Sequence, residues 1–211
     1  MGGLNPYAVE VALKLGASEV WLPTLDAQNH INSFGQATLP TFKPLETKSL
    51  VRLAARPITV LDSSGALSEA TKKIIETMNG SEAILGTGRL SYAEIEQVVQ
   101  YAKKFTIKHI LITHPEFKAT NFSKEQQAKL VASGTYLEHC ATTNYDSRLI
   151  AENIRFVGAS HCILSSDSGQ AQKGHPVDAF LDFIEAILSQ GISEEEIQKM
   201  TIDNPKKLLG V

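Results

Sequence analysis

The sequence predicts an α/β fold in which about five parallel strands alternate with crossover helices. Four short apolar runs between residues 83 and 164 end in polar residues, and a helical pattern follows them. The run ends recur about every 25 residues, which is the length of a strand, a crossover helix and two tight loops. A parallel sheet covered by helices satisfies this alternation.

The predicted elements begin near the N-terminus. Asn5-Pro6 opens a helix that runs to about Leu15, because Pro is favoured in the first turn of a helix. Residues 19–22, three of them apolar, are predicted to form the first strand, and residues 58–65 to form a small strand and turn. A helix over about 68–78 precedes the second strand. The remaining strands are predicted at 83–85, 109–112, 135–137 and 162–164.

The helices between the strands are predicted from their first turns and their apolar faces. Ser followed three residues later by Glu or Gln is the capping-box pattern. Helices over 91–104 and 176–189 also carry apolar residues at helical spacing. The capping-box pairs are Ser91 with Glu94, Ser123 with Gln126, and Ser193 with Glu196.

Length and composition indicate a single domain over 1–211. The chain has 211 residues, 43% of them apolar, which is enough to bury one sizeable core. Residues 24–57 interrupt the alternation, because they contain prolines and few periodic apolar positions. A segment of this length without regular structure is usually a functional lid or is disordered. We therefore expect a lid-like insertion over 24–57.

The charge balance and the cysteines exclude several classes of partner. A net charge of −3 and a pI of about 6.1 provide no basic face for nucleic acid or an acidic membrane. No apolar run reaches the roughly 18 residues of a membrane span, and the first residues lack a secretory pattern. Cys140 and Cys162 suit a reduced, cytoplasmic protein. We expect a small-molecule substrate, and a homo-oligomer is one option.

Polar residues follow the predicted strands where each strand ends. Ligands of parallel strand–helix folds bind at the carboxyl ends of the strands. His114, His139 and Asp167 occupy such ends and are donors that zinc or manganese accepts. A divalent metal held there would lower the pKa of bound water, and Asp167 could accept its proton. Arg89, with Asp26 and His30 after the first strand, would contact the substrate.

Ordinary structural roles compete with each of these assignments. A histidine beside an apolar run is often buried or exposed without function, and Asp167 could cap the turn before Ser168-Gly169. Arg89 could bind an anionic substrate, pair with a neighbour or be a loop arginine. Glu138 adjoins His139 in the strand, so its side chain points the opposite way, and we rank it lower as a site residue.

Five segments together resemble a poorly characterised branch of the amidohydrolase-like metal-dependent hydrolases. The resemblance covers essentially the whole chain and implies a TIM-barrel-like (β/α) fold, a divalent metal, and hydrolysis of an amide, ester or related bond. It also implies that His114, His139 and Asp167 are metal-site residues. The segments are 2–6 together with 20–26, 110–117, 136–140, 163–170 and 203–210.

The sequence departs from this family's pattern at two places. It has no His-x-His motif, which in the family ends the first barrel strand, and it has five good strands where eight are expected. Relatives often carry His where Arg89 stands, and arginine cannot bind a metal because it stays protonated. We therefore expect an incomplete barrel, truncated at its N-terminal side.

Two alternatives to a metal-dependent hydrolase remain. A catalytically inactive, truncated barrel could act as a binding or assembly module, because an open five-stranded sheet leaves unpaired edges. A metal-free barrel of the aldolase kind would need a lysine at a strand end for a Schiff base, and none is present there.

Overall fold

The predicted α/β class is confirmed by the computed structural model, which describes residues 3–35, 57–141, 145–169 and 174–211. Within these ranges five strands form one open sheet in chain order, and every neighbouring pair is parallel. The strands are β1 (Glu19–Trp21), β2 (Ile84–Gly86), β3 (Ile110–Thr113), β4 (Tyr136–Cys140) and β5 (Cys162–Ser165).

Helices connect these strands and continue after the last of them. None of the described helices is both long and apolar enough to cross a membrane. A π-helical segment, Lys199–Asp203, joins the last two helices. The helices are α1 (Pro6–Lys14), α2 (Gln28–Phe34), α3 (Glu69–Thr77), α4 (Tyr92–Ala102), α5 (Lys124–Ala132), α6 (Ser147–Val157), α7 (Pro176–Ser189), α8 (Glu194–Gln198) and α9 (Asn204–Leu209).

The predicted lid over 24–57 is partly helical. Residues 36–56 lie outside the described ranges, but 28–34 form α2, which the sequence analysis left irregular. This helix is short, begins at Ala27 without a side-chain cap, and ends at Gly35 in the left-handed region. Its buried residue is His30, so packing against the rest of the site stabilises it more than helix propensity does.

All three predicted capping boxes are present, at the starts of α4, α5 and α8. The box of α4 does more than cap its helix. The Glu94 carboxylate accepts hydrogen bonds from Ser91 and also from the Thr59 hydroxyl at 2.8 Å and the Val60 backbone N–H at 3.4 Å. Glu94 therefore fastens the segment before α3 to the start of α4.

The helices pack against one face of the sheet. The main core joins β-strand residues such as Leu85 and Leu137 to buried residues of α3, α4, α5, α6 and α7. The opposite face, which we call the concave face, carries a second, smaller cluster. In the described ranges Leu208 of α9 covers that cluster. The cluster consists of Ile84, Leu111, Tyr136, Ile163 and Leu208.

The C-terminal helices are fixed to the sheet by Asn204. Its side-chain amide donates to the carbonyl of Ala159 at 2.8 Å and to the carbonyl of Cys162, the first residue of β5, at 2.6 Å. The contact lies at the amino end of the strand. Leu208 is thereby held over the lower half of the concave face, and the carboxyl ends of the strands remain available for polar side chains.

We predict that Glu94→Ala destabilises the fold more than the matched change Glu196→Ala in the α8 box. Glu94 is buried and bonded to two segments, so its loss should cost about 2 kcal/mol, whereas a cap alone is worth about 1 kcal/mol or less. Urea unfolding of both variants measures the difference. Equal losses would show that the Thr59 and Val60 contacts contribute nothing.

Candidate functional site

Side chains of β4 alternate between the two faces of the sheet. Leu137 belongs to the helix-facing core, and the register pairs it with Cys162 and pairs His139 with Leu164. His139 therefore points towards the helices. Glu138, which pairs with Ile163 of the concave cluster, points to the concave face.

His139 forms a buried ion pair with Glu116, which lies on the loop after β3. Its Nδ1 lies 3.1 Å from both carboxylate oxygens of Glu116, and its Nε2 lies 3.4 Å from the Sγ of Cys162. The amides of Asn153 and Gln127 donate to the same carboxylate at 2.8 and 3.1 Å. Both ring nitrogens of His139 are thus already engaged behind the sheet.

The charges of this pair stabilise each other despite their burial. Burial by itself lowers the pKa of His139, but the Glu116 carboxylate and the Cys162 sulfur outweigh it and raise that pKa to about 10. Burial likewise raises the pKa of Glu116, but His139 and the two amides outweigh it and lower that pKa. The imidazolium and the carboxylate therefore both persist at neutral pH.

The predicted metal ligands His114, His139 and Asp167 are not brought together. His139 faces the helices, whereas His114 and Asp167 follow the carboxyl ends of β3 and β5. Across the described ranges no three His, Cys, Asp or Glu side chains are placed to hold a metal ion. The three-ligand set is therefore corrected, because the alternation along β4 sends His139 to the other face.

Three of the predicted residues do converge at the carboxyl edge. The Arg89 Nη1 lies 3.1 Å from the Nδ1 of His30, and the charge of Arg89 acts on both His30 and His114. All three side chains are buried, with exposures of 9%, 0% and 4% for Arg89, His30 and His114. Burial first, and Arg89 second, lower the pKa of each histidine to about 4, so both imidazoles are neutral at pH 7.

Two phenylalanines complete this cluster. Phe117 lies under the Arg89 guanidinium, with 4.9 Å from the Cζ atom to the ring centroid, and its ring is 4.9 Å from that of His114. Phe34 of α2 stacks on Phe117 at 5.5 Å and lies 4.7 Å from the His30 ring. We name these five residues, Arg89, His30, His114, Phe34 and Phe117, the arginine cluster.

Gly88 fixes the backbone from which Arg89 extends. Its φ is +60°, and a Cβ atom there would lie 2.4 Å from the carbonyl oxygen of Pro23 and 2.5 Å from that of Leu22. The Arg89 N–H donates to the same Pro23 carbonyl at 2.9 Å, and the Thr113 hydroxyl donates to the Gly88 carbonyl at 2.6 Å. The loops after β1, β2 and β3 therefore form one bonded unit.

Asn29 fastens α2 to this unit. Its side-chain amide donates to the carbonyl of Arg89 at 3.1 Å and to that of Ala119 at 2.7 Å. His30 and Phe34 reach the arginine cluster because α2 is held there. The sequence analysis did not select Asn29, since an asparagine in a segment without periodicity gives no signal of a long-range contact.

Asp26, the third predicted substrate residue, lies beside the cluster without joining it. It is exposed, and its charge raises the pKa of His30 against the larger effects of burial and Arg89. Asp26 lines a cavity of about 390 Å³ together with residues of α1 and β1 such as Val9 and Trp21. No residue of the arginine cluster lines this cavity.

The concave face carries a group of carboxyl side chains at its upper end. Burial raises the pKa of Glu138 to about 7, partly opposed by a hydrogen bond from Ser165, and the charges of Glu19 and Asp167 raise it further. Burial also raises the pKa of Glu19. Gly86 leaves the space for this group, because a Cβ there would lie 2.6 Å from the Glu19 Oε1 atom.

The backbones of His114 and Asp167 lie in the left-handed region, at φ +32° and +43°. Non-glycine residues seldom adopt this conformation, although His and Asp tolerate it better than most. At His114 the turn is held by hydrogen bonds to its carbonyl from the Thr120 hydroxyl at 2.6 Å and the Phe117 N–H at 3.0 Å. Backbone strain of this kind clusters at functional sites.

We predict that Glu116→Ala costs about 3–5 kcal/mol of unfolding free energy, because it leaves a buried His139 without its counter-charge. The matched control is Glu152→Ala, which removes an exposed pair with Arg148 and should cost at most about 0.5 kcal/mol. Chemical denaturation at pH 7 measures both. A small loss for Glu116→Ala would contradict the buried ion pair.

Solved structures similar to this chain include two amidohydrolases. An amidohydrolase from Mycoplasma synoviae is 21% identical over 78% of this chain and 54% of that one, with a TM-score of 0.54. An amidohydrolase from Pseudomonas aeruginosa is 14% identical over 97% of this chain and 67% of that one, with a TM-score of 0.60. The chain spans about half the length of the first. At these identities the likeness shows the fold.

The search among curated proteins gives no match. The model of a family of unknown function (DUF6282) matches residues 1–138, about two thirds of the chain. The matched part contains Arg89, His114 and Glu138, and it ends one residue before His139. The chain therefore belongs to this family of unknown function, and its fold is that of the amidohydrolases.

Proposed function

We propose that this chain carries active-site residues of a hydrolase that cleaves an amide, ester or related bond of a small molecule. The single observation that supports this most is the position of Glu138. Its carboxyl group lies on the concave face at the carboxyl ends of the strands, its Oε2 atom is buried without a hydrogen-bond partner in the described ranges, and burial raises its pKa to about 7. General acid–base groups work best when their pKa lies near the operating pH.

Glu138 would act as base and then as acid. As the oxygen of a water molecule bonds to the substrate carbonyl carbon, one water proton moves to the Glu138 carboxylate. The bond from carbon to the leaving nitrogen or oxygen then breaks, and Glu138 returns the proton to that leaving atom. The net change is the addition of one water molecule, and Glu138 ends in its starting state.

Asp167 has a supporting role in this proposal. The sequence analysis assigned it as the base, and its charge is one of the influences that raise the pKa of Glu138. A negative charge near a carboxyl group favours the protonated form of that carboxyl group. Asp167 also acts on Arg89, whose pKa its charge raises. The charge of Asp167 thus acts both on the carboxyl group of Glu138 and on Arg89 of the arginine cluster.

No step of this proposal passes through zinc or manganese. Three protein ligands are the usual minimum of a catalytic site, and the nitrogens of His139 are engaged by Glu116 and Cys162. His114 and His30 remain, but the positive charge of Arg89 acts on both of them and opposes a second cation. The described residues therefore do not fit the three-ligand metal site that the resemblance implies.

We predict that Glu138→Gln lowers the hydrolysis of small esters and anilides by about 100-fold or more, which is the usual contribution of a general base. The wild-type kcat/KM should rise with pH and level off above an apparent pKa of about 7, since the base must be deprotonated. A panel of p-nitrophenyl esters and p-nitroanilides, assayed from pH 5 to 9, measures both effects.

The control for this assay is Glu152→Gln, an exposed carboxylate of α6 that should leave kcat/KM and its pH profile unchanged. Circular dichroism of each variant verifies folding. Turnover that is equal in wild type and Glu138→Gln would reject Glu138 as the base. Turnover that falls while the pH profile keeps its midpoint near 7 would assign the titrating group to another residue.

A binding or assembly module is the second candidate, and α1 supports it. Tyr7, Val11 and Leu15 follow one another at a spacing of four residues and are 77%, 56% and 83% exposed. No residue of α1 is buried. Light scattering of the purified chain tests this candidate: a stable oligomer without turnover would favour it, and a monomer with turnover would favour the hydrolase.

A further inference from the structure

The arginine cluster contains hydrogen-bond donors without acceptors. Arginine has N–H donors and no acceptor, so the contact of Arg89 Nη1 with His30 Nδ1 requires Nδ1 to accept. The proton of the neutral His30 ring therefore sits on Nε2. Both that Nε2 and the Nε of Arg89 are buried and lack a hydrogen-bond partner in the described ranges. The Nε2–H of His30 and the Nε–H of Arg89 are thus two buried donors without an acceptor.

The charge of Arg89 also has no close counter-charge. Within the described part of the chain it forms no salt bridge within 4.0 Å, although the residue is only 9% exposed. A buried guanidinium without a counter-charge costs free energy, and proteins usually compensate such a charge with a partner. The charge of Asp167 acts on Arg89 from beyond salt-bridge distance, and the neutral histidines beside Arg89 supply no charge. The arginine cluster itself therefore contains no negative charge.

These two deficits identify the kind of ligand. A metal ion needs ring nitrogens with free lone pairs, but the unpartnered nitrogen of His30 carries a proton. The Nδ1 of His114 is also buried without a partner, but one imidazole nitrogen beside the positive charge of Arg89 does not make a metal site. An oxyanion needs N–H donors and positive charge, and both are present. Arginine suits carboxylate and phosphate groups because its planar fork can donate two parallel hydrogen bonds.

We propose that Arg89 and His30 form an oxyanion-binding subsite that holds a carboxylate or phosphate group of the substrate. The subsite rests on the proposed hydrolase function only in that the bound anion is taken to be part of the substrate. The Phe117 ring packs against the guanidinium of Arg89, and Phe34 stacks on Phe117. The charge of Asp167, which acts on Arg89 and Glu138 alike, places the subsite within electrostatic reach of the proposed base.

Entry of the anion requires α2 to move. Both unpartnered nitrogens are covered, and α2 supplies His30 and Phe34 to the cluster. Asn29 holds this helix by two hydrogen bonds to loop carbonyls, of Arg89 and Ala119. The five-stranded sheet does not include α2, but the Gln28 N–H at the start of this helix donates to the Ile58 carbonyl at 2.8 Å, so a displacement of α2 would pivot on that end.

The test is isothermal titration of the 211-residue chain with inorganic phosphate and, separately, with acetate. We expect saturable binding of at least one of them, and a loss of about tenfold or more in affinity for Arg89→Met. Phosphate alone would assign a phosphorylated substrate, and acetate alone would assign a carboxylate. The control Arg148→Met removes an arginine with a 79% exposed side chain and should bind like wild type.

Two further measurements keep the result unambiguous. Arg89→Met without ligand should melt at or above the wild-type temperature, because it removes a buried unpaired charge, whereas a purely structural arginine would melt lower. Glu138→Gln should bind the anion as wild type does, which separates failure of the subsite from failure of the proposed catalysis. Absence of anion binding, unchanged binding by Arg89→Met, or zinc binding abolished by His30→Ala would overturn the proposal.

Discussion

The two-residue period of β4 is the constraint on which the rest of this site depends. Because Leu137 must pack against the helices, His139 shares their side of the sheet and Glu138 is directed to the other. The same alternation creates a buried ion pair on one face and an acidic group with a raised pKa on the other. The strand β4 thus places the ion pair of His139 on one face and Glu138, the residue best suited to proton transfer, on the other. A shift of the strand by one residue would move both side chains to the opposite faces.

The two polar centres differ in how their charges are compensated. On the helix side of the sheet, Glu116 accepts from His139, Asn153 and Gln127, so that both charges of the ion pair have partners. At the carboxyl edge, Arg89 is buried among two neutral imidazoles and two aromatic rings, and its charge is left without a close carboxylate in the described ranges. A satisfied network rigidifies a core, whereas a buried donor without an acceptor costs free energy that a ligand acceptor would recover. The second centre therefore has the properties of a recognition site.

Local signals in the sequence predicted most of the fold and part of the site. The three capping boxes and the strand positions were correct because they depend on neighbouring residues. A helix was expected after the strand at 135–137, but its bounds were not predicted although Asp146 caps α6, and α2 was missed because no side chain caps its start. Strand-end placement brought Arg89, His30 and His114 to one edge. The sequence did not indicate which face of the sheet His139 occupies. Tyr136 and Leu137 are both buried and apolar, so the pattern of apolar residues does not show which of them faces the helices.

Gly88 determines how specificity at this edge could change over time. At Gly88 the loop after β2 packs directly against the Leu22 and Pro23 carbonyls of the loop after β1. A shift of one loop would therefore displace the other. An insertion in either loop would break that contact and displace the backbone beneath Arg89. Specificity can therefore change through substitution of the side chain at position 89 on an unaltered backbone. A single substitution of Arg89 would remove the preference for a negatively charged ligand.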